Sequence, residues 1–152
     1  MVGGWGVDAL LGEQTRARKD LDLLPLAHMD LILTLLQEEG FYLGHLWEEN
    51  TRIERARQLF GSPVPSAFVL DHEEGRQVDV HVYDLQGDTV VPLWHDDRSF
   101  LVEELGASGV IVSVRVRCMS AAKQLACHEG YELPEDQTQD VVLLRRLLGY
   151  AG

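Results

Sequence analysis

The 152-residue chain has only two cysteines and no apolar run long enough to span a membrane. Cys118 and Cys127 have a spacing that matches neither a zinc-ligand pair nor a disulfide framework. A spanning helix needs about 20 consecutive apolar residues, and no such stretch is present. The N-terminal sequence MVGGWGVDALLG also lacks the basic region and cleavage site of a signal peptide. These absences predict a cytoplasmic protein that is not inserted in a membrane.

Basic residues are scarce as well. Lysine and arginine total 13 against 25 aspartates and glutamates, which gives a formal net charge of -12. Because a nucleic-acid binder needs a basic face to neutralise phosphates, this balance argues against DNA or RNA as a partner. The same negative field attracts cationic small molecules.

The hydrophobic periodicity predicts an α+β fold with a mixed sheet, helices packed on one face and a small helical C-terminal lobe. We expect a core at residues 1-118 and the lobe at 119-152, within one compact unit. The predicted elements are a helix at 3-12, a strand at 19-24, a helix at 29-39 with Leu31, Ile32, Leu35 and Leu36 at helical spacing, a helix at 46-60, a hairpin of 66-70 with 76-83, one long strand at 109-118, a helix after Ser120 and a helix from Glu135 to Leu148.

Two carboxylates share one face of the first predicted strand. In KDLDLL, strand alternation places Asp20 and Asp22 on one side while Leu21 and Leu23 point to the other. Like charges this close destabilise each other unless a cation lies between them, and hard divalent ions favour carboxylate oxygens. A solvated face of an exposed strand is the alternative interpretation.

A third carboxylate lies on a strand of the same pattern. In RQVDVHVY the valines face the core, and Asp79, His81 and Tyr83 line the opposite face. If this strand is adjacent to the first, three carboxylates can hold two Mg²⁺ ions about 3.5–4 Å apart, the arrangement used in phosphoryl and nucleotidyl transfer. His81 is either a ligand or base, or a hydrogen-bonded structural residue.

A Gly-Gly pair opens the first predicted helix. Gly3 and Gly4 allow backbone N–H groups to approach phosphate oxygens, and a helix N-terminus adds partial positive charge. Arg16, Arg18 and Lys19 follow shortly afterwards, either as further phosphate contacts or as ordinary solvated side chains.

The ordered string Gly3-Gly4-Trp5, Asp8, Gly12, Arg16 and Asp20-Leu21-Asp22 resembles the nucleotidyltransferases of the DNA polymerase beta superfamily. The string is most similar to the antibiotic-modifying branch, the lincosamide nucleotidyltransferases and aminoglycoside adenylyltransferases. VDVHVYD resembles the strand that carries the third carboxylate, and RCMSAAKQLACHEGYEL followed by Asp140 resembles the C-terminal part of the lincosamide enzymes. The resemblance covers nearly the whole chain.

The resemblance implies an enzyme that transfers a nucleoside monophosphate to a hydroxyl group of an antibiotic and releases pyrophosphate. We expect the transferred group to be AMP and its donor to be ATP. It implies that Asp20 and Asp22 bind Mg²⁺, and that Asp79 completes the metal site and acts as general base. Gly3 and Gly4 would then contact the nucleotide phosphates.

For the acceptor, we expect a pocket bounded by the Asp79-His81-Tyr83 face and by His128 and Tyr131. Arg18 departs from the family pattern, which often has histidine there. The alternative function is a catalytically idle nucleotide-binding or interaction module on the same fold, and the presence of all three carboxylates favours the enzyme.

The family carries a helix and a first strand before the Gly-Gly turn, whereas only Met1 and Val2 precede it here. We therefore expect the sheet to lack one strand or to keep only its stub. An unpaired edge invites pairing with another chain. Either a homodimer covers this edge, or the natural protein is longer.

Overall fold

The computed structural model describes residues 1–26, 28–93, 99–129 and 132–150. Internal contacts divide the chain into two compact units, one of Met1–Arg18 with Glu103–Gly152 and one of Lys19–Val102. This division differs from the predicted boundary at residue 118, because helix α1 (Gly3–Leu11) packs with C-terminal elements of its own unit.

The Lys19–Val102 unit contains a four-stranded mixed sheet in the order β1-β4-β3-β2 and a three-stranded sheet in the order β5-β6-β7. The first strand runs parallel to β4, and the other pairs in the larger sheet are antiparallel. The elements of this unit are β1 (Asp20–Leu23), α2 (Met29–Glu38), β2 (Tyr42–Ile53), α3 (Glu54–Phe60), β3 (Val64–Asp71), β4 (Gln77–His81), β5 (Tyr83–Gln86), β6 (Thr89–Pro92) and β7 (Phe100–Leu101).

The core of this unit lies on one face of the larger sheet. Val78 and Val80 alternate inwards from β4 and join Phe68 of β3, as the valine periodicity predicted. Helix α2 contributes Leu33, which is fully buried, whereas Leu31 is more than half exposed. The existence of α2 is therefore confirmed. Of the predicted apolar stripe, Leu36 packs against the core, whereas Leu31 and Leu35 are exposed.

Residues 46-53 are strand and not helix, so this part of the 46-60 helix prediction is wrong. They form the second half of β2, in which Leu46 lies opposite Phe68 of β3. Because β2 is the last strand of the sheet order, its outer edge tolerates the charged run that suggested an exposed helix. Only Glu54–Phe60 is helical there.

The described residues of the Met1–Arg18 and Glu103–Gly152 unit form three α-helices and one hairpin. Its elements are α1, all but the first residue of a short 3-10 turn (Val102–Leu105), β8 (Ala107–Ile111), β9 (Val114–Cys118), α4 (Ala121–Cys127) and α5 (Glu135–Leu147). The single long strand predicted at 109-118 is wrong, because Val112 and Ser113 adopt positive φ values of 44° and 70° and reverse the chain. Gly109 of β8 packs directly against the Ala9 carbonyl of α1, where any side chain would collide.

The predicted C-terminal helices are confirmed. The Ser120 hydroxyl accepts a hydrogen bond from the Lys123 N–H at 3.3 Å and so caps the N-terminus of α4. None of the helices in the described segments is long and apolar enough to cross a bilayer.

Candidate active site

The three predicted carboxylates lie on two neighbouring strands. The parallel register of β1 and β4 places Asp22 directly opposite Asp79, and Asp20 is two residues before Asp22 on the same strand. Since residues two apart in a strand share a face, Asp20 and Asp22 project from the same side of the sheet. The adjacency of strands that the sequence interpretation assumed is therefore present.

Asp22 is a partly buried carboxyl group beside two other carboxylates. Burial raises the pKa of Asp22 to about 7, and the charges of Asp20 and Asp79 add to the increase. Within the described residues, no three His, Cys, Asp or Glu side chains are gathered closely enough to form a ready metal site. Carboxylate oxygens are the ligands that hard divalent cations prefer, and a bound cation would stabilise the ionised form of Asp22.

Asp79 is held by two neighbouring rings. The Trp47 indole donates from Nε1 to Asp79 Oδ1 at 3.1 Å, and His81 Nε2 lies 3.1 Å from the same oxygen. Among the described residues, no donor contacts Oδ2 of Asp79. The carboxylate is thus oriented through its Oδ1 oxygen.

The sequence interpretation missed Trp47, because residue 47 fell within the stretch read as helix. The available signal was an aromatic residue beside a charged run, which is also compatible with an edge strand. Its role depends on the pairing of β2 with β3, which no local pattern reveals.

Tyr83 is not grouped with Asp79 and His81. Strand β4 ends at His81, and Tyr83 begins β5, where its ring is buried edge-on against Phe100 with the centroids 5.2 Å apart. The simple alternation along RQVDVHVY therefore ends two residues before the tyrosine. Tyr131, the other tyrosine proposed for the acceptor pocket, lies outside the described residues.

His128 terminates helix α4 in the Met1–Arg18 and Glu103–Gly152 unit. Its Nδ1 lies 2.7 Å from the Gln124 carbonyl oxygen. Because a carbonyl can only accept, Nδ1 carries the proton, and in the neutral ring Nε2 is an acceptor. An acceptor-binding role for His128 remains a prediction.

Three of the residues predicted to contact phosphate, Gly3, Gly4 and Lys19, lie at the start of α1 and just before β1. Gly3 begins α1 at a φ of 59°, a left-handed conformation that favours glycine. A Cβ on Gly4 would lie 2.6 Å from Arg18 Nη1, so the absence of a side chain there lets the guanidinium pack against the helix. Lys19 is exposed immediately before β1. Nucleotide contacts by Gly3, Gly4 and Lys19 remain predictions.

Arg18 is at the centre of a buried ionic network. Its Nε and Nη2 donate to the two oxygens of Asp8 at 2.7 and 2.6 Å, and Nη1 donates to Asp140 at 2.9 Å. Arg16 also donates to Asp140, at 2.9 Å, so this predicted phosphate contact has a structural partner in its own unit. The network joins the segment after α1 to α5. An arginine is accommodated at position 18 because Asp8 and Asp140 balance its buried charge.

The hydrogen bonds to Asp8 predict a loss of stability in acid. Burial opposes the ionisation of Asp8, but hydrogen bonds from Arg18 and Thr15 outweigh it and lower the pKa of Asp8 below its usual 3.8. A depressed pKa contributes stability above the unfolded-state value that is lost as the pH falls through the folded-state value. We therefore expect the difference in unfolding free energy between the wild type and Asp8→Asn, measured in urea, to narrow below about pH 4.

The matched control is Glu129→Gln, which changes an exposed carboxylate of the same unit. The unfolding free energy of Glu129→Gln should stay close to that of the wild type across the same pH range. If the difference in unfolding free energy between the wild type and Asp8→Asn became larger in acid, the hydrogen bonds from Arg18 and Thr15 would not be what lowers the pKa of Asp8.

Comparisons with known proteins identify the family and the fold of this chain. The family model for aminoglycoside-2''-adenylyltransferase matches residues 1–144. A lincosamide resistance protein of Staphylococcus haemolyticus is 26% identical over 148 residues, which cover 95% of this chain and 82% of the relative.

Two solved structures share the fold. The lincomycin-bound crystal structure of the lincosamide antibiotic adenylyltransferase LnuA superposes with a TM-score of 0.71 at 26% identity, covering 94% of this chain and 82% of that one. The ANT(2'')-Ia structure in complex with adenylyl-2''-tobramycin gives a TM-score of 0.62 at 18% identity over 97% of this chain and 78% of that one, which supports the fold alone. The nucleotidyltransferase-like α+β fold and the family resemblance read from the sequence are both confirmed. The chain belongs to the aminoglycoside-2''-adenylyltransferase family.

Proposed function

We propose that this protein transfers AMP from ATP to a hydroxyl group of a lincosamide or aminoglycoside antibiotic and releases pyrophosphate. The observation that carries the proposal is the register of β1 and β4, which sets Asp22 beside Asp79 with Asp20 on the same strand. Family membership adds the reaction class, since the relatives are named for adenylyl transfer and for lincosamide resistance.

Asp20, Asp22 and Asp79 are the residues proposed to hold Mg²⁺. When bound, the metal would neutralise the charge that develops on the phosphates and align attacking and leaving oxygens. The raised pKa of Asp22, caused first by burial and then by the two neighbouring carboxylates, supports this assignment because a divalent cation would stabilise the ionised form of the group.

In the proposed reaction, the acceptor hydroxyl oxygen attacks the α-phosphorus of ATP in line with the bond to the β-phosphate oxygen. The new oxygen–phosphorus bond forms as that bond breaks, and the electron pair leaves on pyrophosphate. The hydroxyl proton passes to Asp79, whose Oδ1 is held by Trp47 and His81. Most of the acceleration would come from positioning and charge neutralisation.

Gly3 and Gly4 are proposed to contact the triphosphate through backbone N–H groups at the start of α1, together with Arg16 and Lys19. The left-handed conformation of Gly3 supports this role, because it leaves the backbone without a shielding side chain. Because Arg16 is ion-paired with Asp140, its guanidinium would have to contact Asp140 and a phosphate at the same time.

The setting and partners are proposed from charge and chemistry. A net charge of -12 supports a cationic small molecule over a nucleic acid as the acceptor. The cytoplasm supplies ATP and keeps the free thiols Cys118 and Cys127 reduced. Self-association as a homodimer is proposed because β1 is an end strand of the described sheet, and sedimentation would measure it.

The experiment that tests the function follows pyrophosphate release. The protein is incubated with Mg²⁺, each nucleoside triphosphate in turn, and a panel of lincosamides and aminoglycosides. Release that depends on one acceptor class, together with a product heavier by one nucleoside monophosphate, would support the proposal. Nucleotide binding without release for any acceptor would instead favour an idle module.

His128 provides a more specific prediction about acceptor binding. Asparagine can keep the hydrogen bond that Nδ1 makes to the Gln124 carbonyl, while it removes Nε2. We expect His128→Asn to raise the acceptor KM by about tenfold, because the loss of one hydrogen bond has an effect of that size. The ATP KM should stay within about twofold of the wild-type value. Steady-state kinetics with each substrate varied would measure both, and equal increases would contradict an acceptor role.

A further inference from the structure

An exposed indole lies next to the proposed general base. Trp47 of β2 is 53% exposed, although tryptophan is the side chain with the most apolar area to bury. Its Nε1 is nevertheless fixed on Asp79 Oδ1 at 3.1 Å. One end of the ring is therefore held at the site while much of its surface faces solvent.

The orientation of the indole is restricted from a second side. The His45 ring packs against Trp47 nearly at a right angle, at 82°, with centroids 4.6 Å apart. The indole is thus held by a hydrogen bond at its nitrogen and by an edge contact with His45. A ring with fixed orientation loses little entropy when it binds a ligand.

The chemistry around the indole selects the ligand. The face of a tryptophan ring attracts cations, and this attraction strengthens when the cation is desolvated. The carboxylate of Asp79, which accepts a hydrogen bond from the indole nitrogen, adds negative charge beside the ring and favours a cationic group. An amine-bearing ring compound fits both features, whereas a nucleobase would use only the stacking surface.

We propose that Trp47 has two roles in the reaction: its Nε1–H positions Asp79, and its exposed face binds an amine-bearing, hydroxylated acceptor. The inference rests on the proposed function, because Asp79 is taken to receive the proton of the acceptor hydroxyl. Binding beside Asp79 would bring that hydroxyl close to Oδ2, the oxygen that no donor of the described residues contacts. The residue is a positioning residue towards Asp79 and a binding residue towards the acceptor.

Two substitutions separate the roles. Trp47→Phe keeps an aromatic face and removes the N–H donor. Trp47→Gln removes the face and keeps a donor, because the glutamine amide nitrogen is the same number of bonds from Cα as the indole nitrogen. Tyr42→Gln is the matched control, since Tyr42 is an aromatic residue of similar exposure, 49%, on the same strand.

The measurements are calorimetric titration of each protein with an aminoglycoside and a lincosamide in the absence of nucleotide, followed by kcat and KM for both substrates. We expect Trp47→Gln to weaken acceptor binding by about tenfold, the size of a partly desolvated cation–π contact, with kcat within about threefold of the wild type. Trp47→Phe should lower kcat by about tenfold through the lost hydrogen bond to a carboxylate, and leave the acceptor Kd within about twofold. Tyr42→Gln should change neither quantity.

The outcomes that overturn the inference differ from those that overturn the function. Unchanged acceptor binding in Trp47→Gln, or a rise confined to the ATP KM, would refute the acceptor-binding role. An unchanged kcat in Trp47→Phe would refute the positioning role. A wild type that neither binds nor modifies any acceptor would refute the proposed function, and the inference with it.

Discussion

We expect Asp22→Asn to abolish nucleotidyl transfer without unfolding the protein. Asparagine has nearly the same volume but carries no charge, so the proposed metal site would lose an anionic ligand. A loss of about a thousandfold or more in kcat is expected, since metal coordination supplies several kcal/mol of transition-state stabilisation. The same substitution removes the repulsion between Asp22 and its neighbours Asp20 and Asp79, so the metal-free melting temperature should rise or stay unchanged.

Two measurements check this expectation. Pyrophosphate release gives kcat, and thermal unfolding with and without Mg²⁺ reports metal binding apart from catalysis. Mg²⁺ should raise the melting temperature of the wild type and have a smaller effect on Asp22→Asn, since a ligand stabilises only the state that binds it. Asp88→Asn, at an exposed position between β5 and β6, is the control and should behave as the wild type does. Full activity in Asp22→Asn would contradict the proposed metal site.

The carboxylate strands could be predicted because their information is local. Alternation in KDLDLL and in RQVDVHVY fixes which side chains share a face as far as His81. Their adjacency could not be derived from periodicity and came from the family resemblance. The structure supplies it as a parallel β1–β4 pair, a contact between segments far apart in the chain.

The remaining errors have the same physical origin. The charged run at 46-53 is compatible with an exposed helix until β3 is present to pair with it. The alternation at 109-118 continues through a turn, because Val112 and Ser113 give no glycine or asparagine signal for their positive φ values. Trp47 was missed together with the strand that carries it.

The partners of Arg18 were equally hidden, because Asp140 is 122 residues away in sequence. A sequence pattern shows charge but not which charges meet in the interior. Arginine in place of the histidine often found in the family therefore appeared as a departure. In the structure it is a side chain only 2% exposed that satisfies two buried carboxylates.

This arrangement predicts that Arg18→Met is strongly destabilising. Methionine has a similar length, but it leaves Asp8 without its guanidinium partner, and Asp140 with only Arg16. Removing one member of a buried ion pair costs about 3–5 kcal/mol, because the remaining charge is uncompensated. Urea unfolding monitored by circular dichroism should show this loss as a lower transition midpoint.

Two comparisons identify the cause of the loss. Arg57→Met removes an arginine whose side chain is 64% exposed and whose nearest carboxylate oxygen, on Glu54, is 3.9 Å away. That exposed pair should contribute less than about 1 kcal/mol. Combining Arg18→Met with Asp8→Asn and Asp140→Asn should recover part of the stability, because the buried charges are then removed together. If the triple variant were no more stable than Arg18→Met, lost packing and not unpaired charge would account for the loss of stability. The main contribution of Arg18 would then be its packing against α1.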